Sequence, residues 1–156
     1  ATHDQFLPCT NEPAVMDRLH AYSYFLEGLL ACAEEQECRQ TLRQGIERAR
    51  ERLEQIAPLF ERGDVRAQLL RVRLFADALG VAPLAEEEAE REVARILEFQ
   101  AADQDPRVSG GFYFGRTPSG WLPFVNPYTT AFAVQALEMW RQRRIGQFRP
   151  LWQELI

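Results

Sequence analysis

Residues 105–140 read DPRVSGGFYFGRTPSGWLPFVNPYTTAFAVQALEMW, and this stretch decides the fold. It opens as an irregular loop rich in glycine and aromatic residues, then turns at Asn126-Pro127 into a helix that is apolar on nearly every side. Loops of this length between helices, when ordered, often serve as lids or binding loops. Val108, Phe112, Tyr113, Phe114, Trp121, Leu122, Phe124 and Val125 supply surface for packing, while Gly110, Gly111, Gly115 and Gly120 let the backbone turn where a side chain would clash. FYFGR leading into a TPSG turn and returning as WLPFV predicts a short hairpin. Two readings stay open for the loop: a plug that covers a core, or a plug that also lines a pocket.

Upstream, the pattern predicts four more helices. The first begins within residues 13–17 and runs to about Glu35; its apolar residues (Leu19, Tyr22, Tyr24, Phe25, Leu26, Leu29, Leu30, Ala33) go around almost the whole circumference, so it needs neighbours on several sides. The second, over residues 37–60, carries one stripe only: Cys38, Leu42, Ile46, Ala49, Leu53, Ile56 and Phe60 at three- and four-residue steps. Gly63-Asp64 reads as a stop followed by a new cap, and the third helix, over residues 65–79, is again apolar widely around. The fourth, over residues 85–100, returns to a single stripe behind a glutamate-rich first turn. The fifth covers residues 128–143, and a short final helix covers residues 150–155. Residues 1–11 form an irregular lead-in that could continue a longer protein.

All-round helices alternate with one-sided ones. Antiparallel hairpins stacked side by side account for this, with the first, third and fifth helices in an inner layer and the second and fourth in a solvated outer layer. The expected fold is all-α: helix hairpins forming part of an α/α toroid or helical solenoid, with one long glycine- and aromatic-rich loop. The 156 residues, nearly half of them apolar, suffice for one domain with a substantial core.

The net charge is −5, every basic residue is an arginine, and the arginines are scattered among acids, so no basic stripe points to nucleic acid. No apolar run approaches the roughly 20 residues of a membrane span, and no signal peptide opens the chain, which points to a cytoplasmic protein. Cys9, Cys32 and Cys38 are an odd count without framework spacing and read as reduced structural thiols. With only His3 and His20 beside them, neither a zinc site nor any cofactor site is expected.

HAYSYFLEGLL, followed two hairpins later by GGFYFGR and GWLPFVNPYTTAFAVQAL, resembles the carboxy-terminal half of an α/α toroid of the six-hairpin glycosidase and terpenoid-cyclase/prenyltransferase-like superfamily. The resemblance covers most of the chain from Asp17 to Trp140. It implies inner helices around a central cavity, with glycine-aromatic loops entering them. A full toroid has about twice as many hairpins as this chain, so a half-ring is expected that closes as a homodimer or with a missing half. No acidic cluster of the terpene-cyclase kind is present, and such folds host many activities.

Parallel inner helices would bring their amino-terminal ends to one mouth. His20, Tyr22 and Tyr24 would then face Arg66 and Gln68, with Asn126, Tyr128 and Thr129 beside them and Arg116 and Trp121 on the covering loop. Tyr24, Arg66, Arg116, Trp121, Asn126 and Tyr128 are the candidate ligand-binding residues: aromatic faces for stacking, and polar groups for hydroxyls or a carboxylate, as a sugar would need. His20 and Glu27 are the candidates for chemistry. Glu27 lies two turns beyond His20, about 10 Å further along the helix, where it is either a lumenal acid or the partner of Arg66, Arg71 or Arg73; the pair is favoured, because an unpartnered buried acid is costly. Glycoside hydrolysis needs two carboxylates about 5 to 9 Å apart, and no spacing forces any two of Glu27, Asp77 and Glu138 together. Whether the chain is an enzyme stays open. A helical module for protein interaction or self-association, anchored by Trp121, Phe124, Trp140 and Trp152, is the alternative.

Overall fold

A computed structural model describes residues 12–155. The lead-in with His3 and Cys9 lies outside the described residues. Five α-helices are present among them: α1 (Glu12–Leu30), α2 (Gln36–Ile56), α3 (Gly63–Ala78), α4 (Glu86–Leu97) and α5 (Pro127–Arg144). None is long and apolar enough to cross a membrane.

Each boundary has a local cause. Residues after Leu30 leave the helix through tight turns, with the Cys32 and Ala33 amides donating back to Leu29 and Leu30, so α1 ends about a turn earlier than its apolar pattern predicts. The stripe of α2 is buried as its spacing requires, through Leu42, Ile46, Ala49, Leu53 and Ile56. Three glutamates open α4, at the positive end of its dipole. At the start of α5, the Asn126 side chain accepts from the amides of Tyr128 (2.8 Å) and Thr129 (3.3 Å), and Pro127 takes the first position, where its missing N–H costs nothing. The end of the chain forms only a 3-10 turn, Trp152–Glu154, in place of the expected helix.

The hairpin in the long loop is present as β2 (Gly115–Thr117) and β3 (Gly120–Trp121). A third strand joins it that the sequence reading lacks: β1 (Glu61–Arg62) pairs antiparallel with β2, opposing Glu61 to Arg116 and Arg62 to Gly115. The expected stop and cap at Gly63-Asp64 is corrected accordingly. Arg62, extended in β1, is the cap position, and α3 starts at Gly63. The Asp64 carboxylate instead holds Arg62 at 3.0 and 2.6 Å. Gly115 is required by this sheet, since a Cβ there would stand 2.8 Å from the Glu61 carbonyl oxygen.

The centre of the molecule is α3, buried continuously to Ala76. It runs parallel to α1, as the pairs Asp17–Arg62, His20–Gln68 and Glu27–Arg71 show. It is parallel also to α5, through Arg71–Gln135 and Arg143–Asp77. The two remaining helices are antiparallel to it: Arg66 meets Glu54 and Val81 meets Arg43 on α2, while Arg73 meets Glu88 and Glu61 meets Arg95 on α4. The expectation that α1 and α5 are enclosed like α3 is corrected. α1 packs on α2 and α3, and α5 chiefly on α3. Each keeps an open flank, which leaves Tyr24 (47 %), Phe25, Val134 and Tyr128 (74 %) exposed.

Candidate functional site

Two positions apart on a helix means about 200° apart around it. Arg66 and Gln68 therefore leave α3 on opposite sides, and each side carries its own polar cluster. Arg73, seven residues beyond Arg66, returns to Arg66's side; Arg71 and Asp64 share Gln68's side.

On the first side lies a cleft of about 690 Å³ between α2 and α4, closed at one end by the hairpin. Arg66 forms part of its floor. α2 contributes Arg50 and Glu54; α4 contributes Glu88, Arg91, Glu92 and Arg95; the hairpin contributes Arg116 and Trp121. Three of these side chains, Arg66, Arg95 and Arg116, are held by Glu61, which is fully buried. Its carboxylate accepts from Arg66, from Arg95 (3.1 Å) and from Arg116 (2.7 Å), drawing together α3, α4 and the hairpin. Arg66 also reaches Glu54 at 3.0 Å, and Glu98 accepts from Arg95 (2.8 Å) and Arg116 (3.1 Å). Arg73 bridges Glu88 (2.9 Å) and Glu92. Burial pushes the Glu92 carboxyl above the usual carboxylate range, against the pull of Arg73. Trp121 stacks on Tyr113 with ring centres 5.6 Å apart, is buttressed edgewise by Phe99, and remains partly exposed.

The second cluster joins α1, α3 and α5. His20 Nδ1 lies 2.7 Å from Gln68 Oε1, and the Gln68 amide donates to Glu27 at 3.4 Å. Glu27 holds Arg71 at 2.5 Å, and Arg71 donates to Gln135 at 2.6 Å while its guanidinium lies 4.2 Å from the Phe132 ring centre. Burial raises the Glu27 carboxyl and lowers Arg71, each opposed by the attraction of the other. Tyr24 packs edge-on against His20, and its hydroxyl is raised first by burial and then by Glu27.

The single mouth expected from the sequence is thus divided. Arg66, Arg116 and Trp121 converge on the α2–α4 cleft; His20, Tyr24 and Glu27 stand together on the other side of α3, with Glu27 in the favoured pair with Arg71. Asn126 is consumed as a cap, Tyr128 projects outward, and Tyr22 is a core residue. Sequence reasoning missed Glu61 and the charged face of α4, and Arg73, named there as a possible partner of Glu27, instead pairs with Glu88 and Glu92. The charged face was visible as Glu88/Glu92 and Arg91/Arg95 at four-residue steps, a spacing that puts each pair on one face.

A third feature is a largely apolar groove of about 1090 Å³. Its floor is α5, through Thr130, Val134, Glu138 and other residues at helical spacing, and its walls are the long loop and the final segment around Phe148 and Leu151. Cys32 and Cys38 carry no disulfide. Among the described residues, no three of His, Cys, Asp or Glu converge as metal ligands. No family model, curated protein or solved structure matches the chain.

Proposed function

We propose that this domain is a segment of an α/α-hairpin array, a solenoid or part of a toroid, that binds a neutral polyhydroxylated small molecule, a sugar being the simplest case, in the cleft between α2 and α4. The observation that carries the reading is the convergence of Arg66, Arg116 and Trp121 from α3 and the hairpin on one concave space. Trp121, supported from behind by Tyr113, offers a flat apolar surface for a sugar ring. Most guanidiniums of the cleft are already matched by carboxylates, including Arg66, Arg95 and Arg116 through Glu61, so an anionic ligand would have to displace existing pairs. Hydroxyl groups, which both donate and accept, can join such a mixed lattice without displacing it.

The test is a calorimetric and thermal-shift screen of neutral and acidic saccharides on the whole chain. Binding of a neutral sugar, weakened tenfold or more by Trp121→Ala and by Arg116→Ala, supports the reading. A ligand that binds both variants as tightly as the parent chain removes the cleft from consideration.

A second reading has its own observation, the apolar groove along α5 with Phe124, Leu151 and Trp152 exposed around it. It favours a module that docks another helix, from a second copy or from a missing half of the ring. Trp140 is buried and is not one of its anchors. A concentration-dependent mass in sedimentation that Val134→Glu abolishes would support this reading; a strict monomer at all concentrations would dismiss self-association.

A further inference from the structure

Among the described residues, Glu92 is the carboxylate of the α2–α4 cleft that keeps a buried oxygen without a hydrogen-bond partner. Its Oε1 is held by Arg73, but its Oε2 is buried and has no hydrogen-bond partner among the described residues. A buried carboxylate oxygen without a donor carries a desolvation penalty. The neighbouring Arg91, also in the cleft lining, is exposed and makes no ion pair among the described residues. One unsatisfied oxygen and one uncommitted guanidinium therefore sit on adjacent residues of α4, at the edge of the same space.

Two adjacent hydroxyls on a ring have the complementary pattern: one donates to the carboxylate, and the next accepts from the guanidinium. Glu92 Oε2 is buried. Of the cleft residues nearest to it in sequence on α4, Glu88 is partly exposed and Arg91 is exposed, and side chains of that kind change rotamer fast. We infer that Glu92 and Arg91 form the hydroxyl-reading pair of the cleft, Glu92 Oε2 taking one hydroxyl of a vicinal diol and Arg91 donating to the other. This rests on the reading of the cleft as a sugar site.

The experiment measures calorimetric affinities of glucose, galactose, mannose and myo-inositol for the whole chain, for Glu92→Gln and for Arg91→Ala, with deoxy analogues of whichever probe binds. The amide introduced by Glu92→Gln keeps a carbonyl oxygen that accepts from Arg73, and melting curves check that both variants fold. The expected result is a tenfold or greater loss of affinity in each variant. The parent chain should lose a similar amount with one deoxy analogue that Glu92→Gln no longer distinguishes. If a probe binds the parent chain and both variants alike, the pair does not read hydroxyls, although the cleft reading survives. If Trp121→Ala also leaves that probe unaffected, or no probe binds the parent chain at all, the cleft reading falls and the pair with it. Should Glu92→Gln not fold, Arg91→Ala and the deoxy series decide alone.

Discussion

His20 Nδ1 lies 2.7 Å from the side-chain oxygen of Gln68. The orientation of that amide is set by its other neighbour: the Glu27 carboxylate can only accept, so the Gln68 nitrogen must face it and the oxygen must face His20. With that oxygen accepting, the neutral histidine carries its proton on Nδ1. Nitrogen-15 correlation spectra at neutral pH should show the Nδ1–H tautomer dominant in the parent chain and a mixture in Gln68→Ala. A dominant Nε2–H form in the parent chain would contradict this orientation of the Gln68 amide.

Glu27 and Arg71 form the most enclosed ion pair between α1 and α3, with the guanidinium fully buried. Removing one partner of a buried pair leaves the other charge uncompensated, at a cost of about 3–5 kcal/mol. Glu27→Ala should lose stability on that order in urea unfolding. Replacing both residues with apolar ones, as in Glu27→Leu with Arg71→Met, should recover much of it. A loss below about 1 kcal/mol for the single variant would show that the pair is already well hydrated.

Two glycines should respond in opposite senses to the same added methyl group. At Gly115 the new Cβ meets backbone, the Glu61 carbonyl oxygen, which cannot swing aside as a side chain can. Gly115→Ala should cost about 1–3 kcal/mol through overpacking at the β1–β2 pairing. At Gly28, within α1, a Cβ meets nothing within 4 Å. Gly28→Ala should stabilise by about 0.5–1 kcal/mol, because alanine loses less backbone freedom on entering a helix. Thermal melts of the two variants should therefore move apart.

Burial raises the Glu92 carboxyl in the folded state; Arg73 and Arg66 oppose this, and Glu88 adds to it. A carboxyl that holds its proton more tightly when folded contributes stability below its unfolded pKa, and that contribution is lost as pH rises through the folded value. Glu92→Gln cannot titrate. The stability of the variant relative to the parent chain should therefore increase as pH is raised from about 4 to 8, measured by urea unfolding at each pH. A difference that stays flat or falls would mean that Glu92 is ionised throughout. Glu138 behaves oppositely: Arg141, and then Gln142, hold it down to about 2, so it favours the folded chain above the ordinary carboxylate range. It is exposed, so screening makes its contribution small.

The second helix was the most legible part of the sequence. One-sided burial leaves a periodic mark, and Leu42, Ile46, Ala49 and Leu53 are buried where that mark puts them. The TPSG hairpin was equally legible, because turn chemistry is local. β1 was not: Glu61 and Arg62 are too few to show a period, and their partners lie more than fifty residues away. A helix apolar all round gives no stripe from which to tell its sides, which is why α1 and α5 read like α3 although each keeps a flank open to water. Arg66 and Gln68 were grouped by their level along α3 alone. Their spacing of two residues already separated them, and with them the cleft from the His20 cluster.

The opposite end of the molecule is fastened differently. Where α4 begins and α5 stops, Arg143 reaches Asp77 (3.0 Å) and Glu86 (3.3 Å), and Arg144 reaches Glu90 (2.5 Å). These groups are half-wet, so dissolved ions weaken them far more than they weaken the hydrocarbon jacket around α3. The architecture therefore has a clasp that ionic strength loosens and a spine that it leaves intact.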